Sequence, residues 1–396
     1  MSGANAGAPA ARRVRVCVVA PSLDVVGGQS IQSALLVRRL RELPALDVRF
    51  VPVNPRLPAA LARLQRTRYI RTIVTTVAYV WSLLRAIPRC DVVHAFSASY
   101  FSYLLAPLPA ILVARLTGRP VVLNYHSGEA ADHLRRWRLS RWTMRLATQI
   151  VVPSTYLAEV FARFGVRARA IQNFIELLSL RYRHRGGEGG RARFFTNRHL
   201  EPLYNVANVL RAYALIEKER PDASLVVAGD GPLRDDLRAL ARELGLRNVR
   251  FTGRVEPAAM PELYDAADVF LNGSSIDNMP VSILESFAVG LPVVSTSAGG
   301  IPSVVSSEET GLLVPLDDPR ALATAALRVL REPGLASRLS RGGREVCLTR
   351  YVWPAVSREW ENLYRDLARP GDRRAQRRAP SAAMDADVRA PVGRMG

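Results

Sequence analysis

The chain of 396 residues is longer than one ordinary domain and long enough to form two packed cores. With 48% hydrophobic and 23% charged residues, its composition is that of a folded globular protein and excludes a disordered or fibrous chain. The net charge of +20 is typical of proteins that bind nucleic acid, anionic lipid or a polyanionic substrate. Lys218 is the one lysine among 55 basic residues, so a codon bias towards arginine explains the excess equally well.

The beginning of the chain and the cysteines favour a cytoplasmic protein. Residues 1–11 are small and polar and lack the basic-then-apolar order of a signal peptide. Cys17, Cys90 and Cys347 lie far apart in hydrophobic surroundings, without a histidine at metal-ligand spacing, so we expect buried free thiols. The most apolar run, residues 100–114, is shorter than the roughly 20 residues of a membrane span and predicts a buried helix.

Strands and helices alternate through the first half of the chain. Residues 14–20 are a β-branched run that leads to the glycine pair Gly27-Gly28, after which residues 31–43 have the apolar spacing of a helix. Further strands are predicted at residues 48–53, 92–95, 121–124 and 150–152. Because helix-length segments separate these strands, the pattern predicts a parallel α/β domain over residues 1–178.

The pattern breaks in the middle of the chain and then restarts. A basic run at residues 181–185 leads into a glycine-rich segment at residues 186–190, so we predict an interdomain linker over residues 179–190. A second set of strands is predicted at residues 192–196, 225–228, 249–252, 269–272, 292–295 and 311–314. This set predicts a second α/β domain over residues 191–352.

Three helices and a tail complete the chain. The helices are predicted at residues 318–330, 335–349 and 353–368. Residues 369–396 are rich in arginine, alanine and proline, which predicts a disordered tail. Ligands of parallel sheets bind beyond the carboxyl ends of the strands, and two sheets that face each other form a cleft there. We therefore expect the functional site between the two domains.

Two carboxylates eight residues apart, Asp277 and Glu285, flank Pro280 at the start of a predicted helix. By themselves they fit a helix cap and a solvated surface residue. The helix of Glu285 is otherwise apolar, and a carboxylate there costs free energy unless hydroxyls or cations bind it. A buried strand then leads to the pair Gly299-Gly300 before another predicted helix, a geometry that favours binding of a phosphate.

The stretch from Asp277 to Pro302 resembles the C-terminal signature of glycosyltransferase family 4, a family of retaining enzymes, including its two acids separated by seven residues. Residues 229–232 resemble the GxGP turn of the family, and residues 251–255 resemble its nucleotide-base loop. The resemblance implies an α/β protein with the GT-B fold, in which two Rossmann-like domains with parallel sheets face each other across a cleft. It also implies that helix 353–368 packs back on the N-terminal, acceptor-side domain.

Residue roles in the nucleotide-sugar-binding domain follow from this resemblance. It implies that Asp277 is a catalytic residue beside the donor sugar, that Met279 and Pro280 line the donor site, and that Glu285 binds the ribose hydroxyls. The family usually has Glu-Gly-Phe-Pro where this chain has Asp-Asn-Met-Pro, so the shorter acid implies a different contact with the sugar. The loop expected to contact the nucleotide base contains Gly253, Arg254 and Val255.

The diphosphate of the donor is assigned to other residues. Arg198 matches the arginine of the family's phosphate clamp, and we expect it to be catalytic because a guanidinium offsets the charge of a leaving diphosphate. Tyr204 stands where the family has a lysine and can donate only one neutral hydrogen bond, so Arg198 carries more of the phosphate chemistry. Gly27 and Gly28 resemble the family's glycine-rich loop near the donor phosphates, although an ordinary strand-to-helix turn explains them as well.

Two histidines follow predicted strands of the first domain. His126 matches the histidine that the family places against the donor sugar and the acceptor, and without this match it is an ordinary core or surface residue. His94 is expected to be a satisfied polar residue that lines the cleft. The sequence has no histidine arrangement of a metal site and no Asp-x-Asp pattern, so we expect no metal and no cofactor beyond the nucleotide sugar as co-substrate.

Two basic stretches of the first domain suggest a membrane surface. Residues 135–145 carry arginines and tryptophans at helical spacing, and the basic residues 56–71 lead into the apolar residues 73–84. Family members that act on lipid-linked acceptors often bind membranes through such surfaces, so we expect a cytoplasmic protein with peripheral contact to the anionic inner face of the plasma membrane. A solvated basic face explains the same pattern equally well.

These features predict a retaining, metal-independent glycosyltransferase that moves a sugar from a UDP- or GDP-sugar to a lipid-linked or saccharide acceptor in bacterial envelope or exopolysaccharide synthesis. The alternative is a catalytically impaired relative that binds a nucleotide sugar or an envelope component, because Tyr204 and Asp277 replace the usual residues. A nucleotide-sugar epimerase ranks lower. Nucleic-acid binding ranks last, since the sequence has no recognised nucleic-acid motif, and the oligomeric state stays open.

Overall fold

The computed structural model describes residues 12–22, 28–56, 68–97, 99–185 and 190–369. These residues form two α/β units, each built on a six-stranded parallel sheet with helices packed against it. The predicted fold class, with two Rossmann-like units, is confirmed. Gly27 and residues 370–396 of the predicted tail lie outside the described residues.

The first unit is built from residues 14–170. Its strands are β1 (Val14–Ala20), β2 (Leu46–Pro52), β3 (Val92–Ser97), β4 (Val121–Tyr125), β5 (Gln149–Val152) and β6 (Arg169–Ala170), in the order β2-β1-β3-β4-β5-β6. Its helices are α1 (Gly28–Arg41), α2 (Arg68–Ala86), α3 (Tyr100–Leu105), α4 (Pro107–Leu116), α5 (Ala130–Arg136), α6 (Arg138–Met144) and α7 (Thr155–Arg163). Strands β3 and β4 are buried along their whole length, because helices cover both faces of a parallel sheet.

The second unit contains a sheet with a reversal of strand order. Its strands are β7 (Arg193–Asn197), β8 (Ser224–Ala228), β9 (Val249–Gly253), β10 (Val269–Asn272), β11 (Val293–Thr296) and β12 (Gly311–Val314), in the order β12-β11-β10-β7-β8-β9. Its helices are α8 (Val206–Glu219), α9 (Arg234–Glu243), α10 (Met260–Ala266), α11 (Val281–Val289), α12 (Pro319–Arg331) and α13 (Leu335–Arg350). The chain leaves the neighbouring strands β7 and β10 in opposite directions along the sheet, and this reversal creates a crevice for ligands beyond their carboxyl ends.

The last helix, α14 (Trp353–Ala368), belongs to the core of the first unit. Trp360 and Tyr364 are buried in one cluster with Val16 of β1. A β-bridge joins Ile175 to Val352 immediately before the helix. The chain therefore returns from the second sheet to the first before it ends.

His94 does not line the cleft, because α14 covers it completely. Its Nδ1 atom lies 2.6 Å from the hydroxyl of Tyr364, and its ring stacks on Phe96 and Trp360 with centroids 4.9 and 5.0 Å away. Its Nε2 atom has no hydrogen-bond partner among the described residues. Burial lowers the pKa of His94 to about 3, so the ring is neutral at pH 7. The prediction from strand position is wrong because Tyr364 follows His94 by 270 residues in the chain.

Residues 100–114 form parts of two helices, α3 and α4, and not the single buried helix predicted. The break falls at Ala106, directly before Pro107, because proline has no N–H with which to continue helical hydrogen bonding. Parts of both helices face solvent: Phe101 and Leu116 are 61% and 85% exposed. Only one side of this apolar segment is therefore core.

Helix α2 is longer and carries a second apolar face. Residues Ile70–Arg89 have a mean hydropathy of 1.3 and are long and apolar enough to cross a membrane, and 22% of this stretch is buried in the protein. Tyr79 and Leu83 pack into the core of the first unit, so one face holds the helix against the sheet. The exposed apolar side chains of the helix, here named the α2 stripe, are Ile70, Ile73, Val77, Trp81 and Leu84.

The predicted linker is packed against the second unit where the structure describes it. Arg185 is buried, and its guanidinium donates hydrogen bonds to the carbonyls of Val289 at the end of α11 and of Tyr264 in α10. Arg183 donates to the carbonyl of Ala267 at 2.9 Å. Burial lowers the pKa of Arg185 to about 10. The arginine run therefore fastens the ends of two helices, while the domain boundaries at residues 178 and 191 stay predictions.

Candidate functional site

Arg198 follows β7 directly and lies at the crevice between β7 and β10. Its backbone N–H donates to the carbonyl of Ala228 at 3.1 Å. A Cβ atom on Gly229 would lie 2.0 Å from the carbonyl oxygen of Arg198, and Gly229 has a φ of +136°. A Cβ atom on Gly231 would lie 2.6 Å from the carbonyl oxygen of Leu200. The GxGP turn therefore needs glycines for the close backbone packing that positions Arg198.

Protein groups surround the guanidinium of Arg198. Its Nη2 forms an ion pair with Oδ2 of Asp277. The hydroxyls of Ser282 and Ser274 lie 3.3 Å from Nη1 and 3.4 Å from Nη2. The Cζ atom lies 4.5 Å from the centroid of the Tyr204 ring, so Tyr204 contributes a cation–π contact from its ring face. Nε is buried and has no hydrogen-bond partner in the described part of the chain.

Close contacts of its backbone and of its side chain determine the position of Asp277. Its Oδ1 accepts a hydrogen bond from the N–H of Asn278 at 2.8 Å, and its carbonyl accepts one from the N–H of Gly300 at 2.9 Å. A Cβ atom on Gly299 would lie 2.1 Å from the carbonyl oxygen of Asp277. Helix α11 begins after Pro280 without a side-chain cap, so Asp277 is not a capping residue.

The predicted helix after Gly300 is wrong. Residues Ile301–Ser303 form one 3₁₀ turn, which is too short to act as the N-terminus of an α-helix. The N–H of Gly300 is also occupied by the carbonyl of Asp277. The glycine pair therefore does not form the predicted phosphate-binding helix N-terminus. The two glycines instead allow the backbone of the acidic motif to pack closely against them.

Glu285 forms a hydrogen-bonded chain with two polar residues that lie outside the acidic motif. The hydroxyl of Tyr264 donates to Oε2 of Glu285 at 2.6 Å, and Nδ2 of Asn197 donates to the hydroxyl of Tyr264 at 3.3 Å. Burial raises the pKa of Glu285 to about 7, and the bond from Tyr264 opposes this shift. Sequence reasoning missed Tyr264, Asn197 and the serines around Arg198, because only the folded chain brings them to the crevice.

The loop after β4 brings the first unit against the acidic motif. A Cβ atom on Gly128 would lie 3.4 Å from the side chain of Ile276 and 3.9 Å from the Cα atom of Asp277. Close by in the chain, His126 stacks on Phe96 with centroids 5.5 Å apart, and its Nε2 is buried without a partner among the described residues. Burial lowers the pKa of His126 to about 4, so its ring is neutral at pH 7.

Two further contacts join the units beside Asp277. The hydroxyl of Ser154 donates to Oδ1 of Asn278, and Sδ of Met279 accepts a hydrogen bond from the N–H of Asn173 at 3.4 Å. Asn173 and His126 line the same small pocket of the first unit. His126 therefore lies in a pocket whose lining residue Asn173 contacts Met279 of the acidic motif.

The remaining candidates form no hydrogen bond with either member of the ion pair among the described residues. Gly28 begins α1. Gly253 has a φ of +68°, and its carbonyl accepts a hydrogen bond from the N–H of Gly229 at 2.9 Å, so the base loop touches the GxGP turn. The side chain of Arg254 is 56% exposed, and Val255 packs against the apolar cluster that contains α11.

Comparisons with known proteins agree with this architecture. The family model described as Glycosyltransferase Family 4 matches residues 6–179, and the one described as Glycosyl transferases group 1 matches residues 183–346. The chain is 28% identical to glycogen synthase of Mycobacterium tuberculosis over 307 residues, which are 74% of this chain and 72% of the relative. It is 24% identical to the sulfoquinovosyl transferase SQD2 of Arabidopsis thaliana over 383 residues, 89% of this chain and 73% of the relative.

A solved structure extends the likeness to three dimensions. Anabaena HepE in complex with UDP-glucose has a TM-score of 0.71 to this chain at 16% identity, covering 89% of this chain and 100% of HepE. The two parallel sheets and this neighbour establish the GT-B fold. Since the two family models cover both units, the protein is a glycosyltransferase that belongs to glycosyltransferase family 4.

Proposed function

We propose that the protein transfers a sugar from a UDP- or GDP-sugar to a lipid-linked or saccharide acceptor in bacterial envelope or exopolysaccharide synthesis. The observation that carries this proposal is the convergence of Arg198, Asp277 and Glu285 at the strand reversal between β7 and β10. A buried cation suits a diphosphate, and two carboxylates suit the hydroxyls of a sugar and a ribose. The structure of HepE, which shares the fold, is of a complex with UDP-glucose, and this supports a nucleotide sugar as the donor.

In the proposed reaction, the bond between the anomeric carbon and the diphosphate oxygen breaks, and its electron pair leaves with the diphosphate. Arg198 stabilises the added negative charge, so the transfer needs no metal ion. The acceptor oxygen bonds to the anomeric carbon from the face that the diphosphate leaves and passes its proton to a diphosphate oxygen, which retains the anomeric configuration. His126 hydrogen-bonds the sugar from the first unit, and Asp277 and Glu285 hold the sugar and ribose hydroxyls.

A thermal-shift screen of UDP-, GDP- and ADP-sugars tests the donor, because a ligand that binds the native state raises its Tm. We expect UDP- or GDP-sugars to raise the Tm, and Arg198→Ala and Glu285→Ala to abolish turnover. The matched control is Arg234→Ala, an arginine of the same unit that is 44% exposed. The configuration of the product, read by NMR, tests retention. If no nucleotide sugar raised the Tm, the donor assignment would be wrong.

A binding protein without turnover is the second candidate function. The ion pair between Arg198 and Asp277 favours it, because the proposed phosphate ligand is already neutralised by a protein carboxylate. Tight binding of a nucleotide sugar with neither transfer nor hydrolysis would identify this candidate. Turnover that depends on Arg198 and Glu285 would exclude it.

We also propose that the α2 stripe lies on an anionic membrane surface. Arginines at both ends of the apolar stretch, Arg71, Arg85 and Arg89, are exposed beside it. Helix α4, which contacts α2, exposes Leu112 and Leu116. An apolar helix face with arginines at its edge matches the acyl boundary and the anionic headgroups of a bilayer. This placement would bring the acceptor-side unit to a lipid-linked acceptor.

Vesicle sedimentation tests this surface. We expect the protein to sediment with vesicles that contain phosphatidylglycerol and not with pure phosphatidylcholine vesicles, and to lose most of this binding in the double variant Val77→Ser/Trp81→Ser. Leu348→Ser is the matched control, because Leu348 is 42% exposed on α13 of the other unit. Equal sedimentation of the wild type and the double variant would contradict the assignment.

A further inference from the structure

Arg198 and Asp277 neutralise each other within the fold. Their side chains are 10% and 11% exposed. The ion pair joins the residue proposed to bind the diphosphate, Arg198, to the residue proposed to bind the sugar, Asp277. We infer that Asp277 competes with the donor diphosphate for Arg198: the diphosphate releases Asp277 to the sugar when it binds, and the ion pair forms again when the diphosphate leaves. This inference rests on the proposed function, in which Arg198 binds the diphosphate.

The competition follows from the geometry of the guanidinium. A guanidinium binds a phosphate best through two parallel N–H groups. The end-on arrangement uses Nη1 and Nη2, and the side-on arrangement uses Nε and Nη2. Each arrangement uses one of the two N–H groups of Nη2, and Asp277 and Ser274 are the two partners of that nitrogen among the described residues. The hydroxyls of Ser274 and Ser282, at 3.4 and 3.3 Å, are uncharged and weaker partners, so Asp277 is the described partner whose negative charge competes with a diphosphate for the guanidinium.

Asp277 is the fixed member of the pair. The N–H groups of Asn278 and Gly300 hold its Oδ1 and its carbonyl, and the backbone of Gly299 lies against it. When Arg198 turns to a diphosphate, Oδ2 of Asp277 keeps only the hydroxyl of Ser274 at 3.4 Å among the described residues, and this hydroxyl has one proton and lies closer to Oδ1 of Asn272, at 2.9 Å. A buried carboxylate with so few donors costs free energy. Hydroxyls of the donor sugar remove this cost, whereas a free nucleoside diphosphate has no sugar to offer.

Asp277 is therefore expected to discriminate between substrate and product. The intact nucleotide sugar satisfies both Arg198 and Asp277. After transfer, the nucleoside diphosphate leaves Asp277 without its sugar partner, and the carboxylate draws Arg198 back. The acid then promotes product release as well as sugar binding, and the same residue lowers the affinity for the free diphosphate.

Isothermal titration of UDP and GDP, at neutral pH, tests the competition. We expect Asp277→Asn to bind the free nucleoside diphosphate about tenfold more tightly than the wild type, because one charge-assisted hydrogen bond is no longer lost. The same variant should bind the intact nucleotide sugar more weakly than the wild type does. Asp277→Ser is a second variant that removes the charge with a smaller side chain. Unchanged or weaker binding of UDP and GDP by the folded variants would overturn the inference.

Asp317→Asn controls for the loss of one negative charge. The carboxylate of Asp317 accepts a hydrogen bond of 2.6 Å from Nδ2 of Asn205. Asn205 follows Tyr204 in the chain, so Asp317 lies near the proposed site. Its removal changes the net charge of the same unit by the same amount. We expect less than a twofold change in the affinity for UDP and GDP. Equal tightening by Asp317→Asn and Asp277→Asn would overturn the inference in favour of a general charge effect.

A double-mutant cycle separates competition for Arg198 from direct repulsion of the ligand by Asp277. We expect Arg198→Ala to weaken UDP and GDP binding, and Asp277→Asn to have no further effect in that background. If Asp277→Asn tightens binding without Arg198, repulsion is the cause and the inference is wrong. If Arg198→Ala leaves binding unchanged, the phosphate role in the proposed function fails as well. Weakening by Arg198→Ala without tightening by Asp277→Asn overturns the inference alone.

Discussion

Tyr264 donates a hydrogen bond of 2.6 Å to Oε2 of Glu285 from a helix outside the acidic motif. Its ring is fully buried, with centroids 5.1 Å from Phe195 and 6.3 Å from Phe270. The aromatic packing therefore holds the hydroxyl in place, and the hydroxyl holds the carboxyl that we assign to the donor ribose. Because the bond favours the carboxylate, it limits the rise in the pKa of Glu285 that burial causes.

Tyr264→Phe is expected to weaken nucleotide-sugar binding by about tenfold. The variant removes a hydrogen bond that holds the carboxyl of Glu285 in place, and we expect this to reduce the binding free energy of the nucleotide sugar by about 1.5 kcal/mol. The pKa of Glu285 should rise further, so that donor binding requires a higher pH than in the wild type. Titration calorimetry at several pH values measures both effects. Tyr213→Phe is the control, since the hydroxyl of Tyr213 lies 3.4 Å from the carbonyl of Asn248. Equal donor affinity of both variants would contradict a role of Tyr264 in the site.

Glu285→Gln is expected to stabilise the fold at pH 8 while it abolishes activity. Burial raises the pKa of Glu285 from 4.5 in a free side chain to about 7. The free energy of unfolding is therefore highest with respect to this group below pH 4.5, where the carboxyl is neutral in both states, and it falls as the pH rises through 7 and the buried carboxyl must ionise. Glutamine does not ionise, and the gain at pH 8 is at most about 3 kcal/mol. Urea unfolding at pH 5 and pH 8 measures the difference. Glu308→Gln, which removes an exposed ion pair with Arg328, should give no gain at pH 8.

Gly229→Ala is expected to displace Arg198 and to reduce donor affinity at least about tenfold. A shift of about 1 Å is enough for a catalytic group to lose most of its contribution to binding and rate. The new Cβ atom would lie 2.0 Å from the carbonyl oxygen of Arg198. Gly245→Ala is the matched control, because Gly245 has a φ of +68° and a Cβ atom there would meet none of the described residues within 4 Å. Its cost is about 1 kcal/mol of unfolding free energy, from backbone strain alone. Comparable loss of donor binding in both variants would contradict the positioning role of the turn.

His94→Asn is expected to reduce the acid sensitivity of the fold. Because burial lowers the pKa of His94 to about 3, the unfolded chain takes up a proton below pH 6.5 while the folded chain does not, and stability falls as the pH falls. The wild type should lose about 2 kcal/mol more than the variant between pH 7 and pH 5. Unfolding free energies at both pH values measure this difference. The exposed His199 serves as the control, and His199→Asn should follow the wild type.

Arg185→Met is expected to destabilise the second unit by about 2 kcal/mol, because several charge-assisted hydrogen bonds to buried carbonyls are lost and removal of one buried charge compensates only in part. The carbonyls concerned lie in α11 and α10, the helices of Glu285 and Tyr264. Urea unfolding measures the change. Arg181→Met removes an exposed arginine of the same run and should have little effect. If both variants were as stable as the wild type, the packed linker would not hold these helices.

Much of the fold could be predicted because its signals are local. Runs of β-branched residues separated by helix-length segments predicted both parallel sheets, and the spacing of Asp277 and Glu285 with their glycine-rich neighbours led to the donor site that we propose. The short strand β6 was missed because two residues carry no recognisable period. His94 was misplaced because the helix that covers it comes from the other end of the chain.

The sequence by itself determined the alternation of strands and helices, the identity of the charged groups and their membership of a family pattern, because each depends on residues close together in the chain. Only the tertiary structure decided what those groups touch. It paired Arg198 with Asp277, laid the ring of Tyr204 on the guanidinium and joined Tyr264 to Glu285. The physical reason is the reversal of strand order between β7 and β10, which brings side chains 76 to 84 residues apart to one crevice.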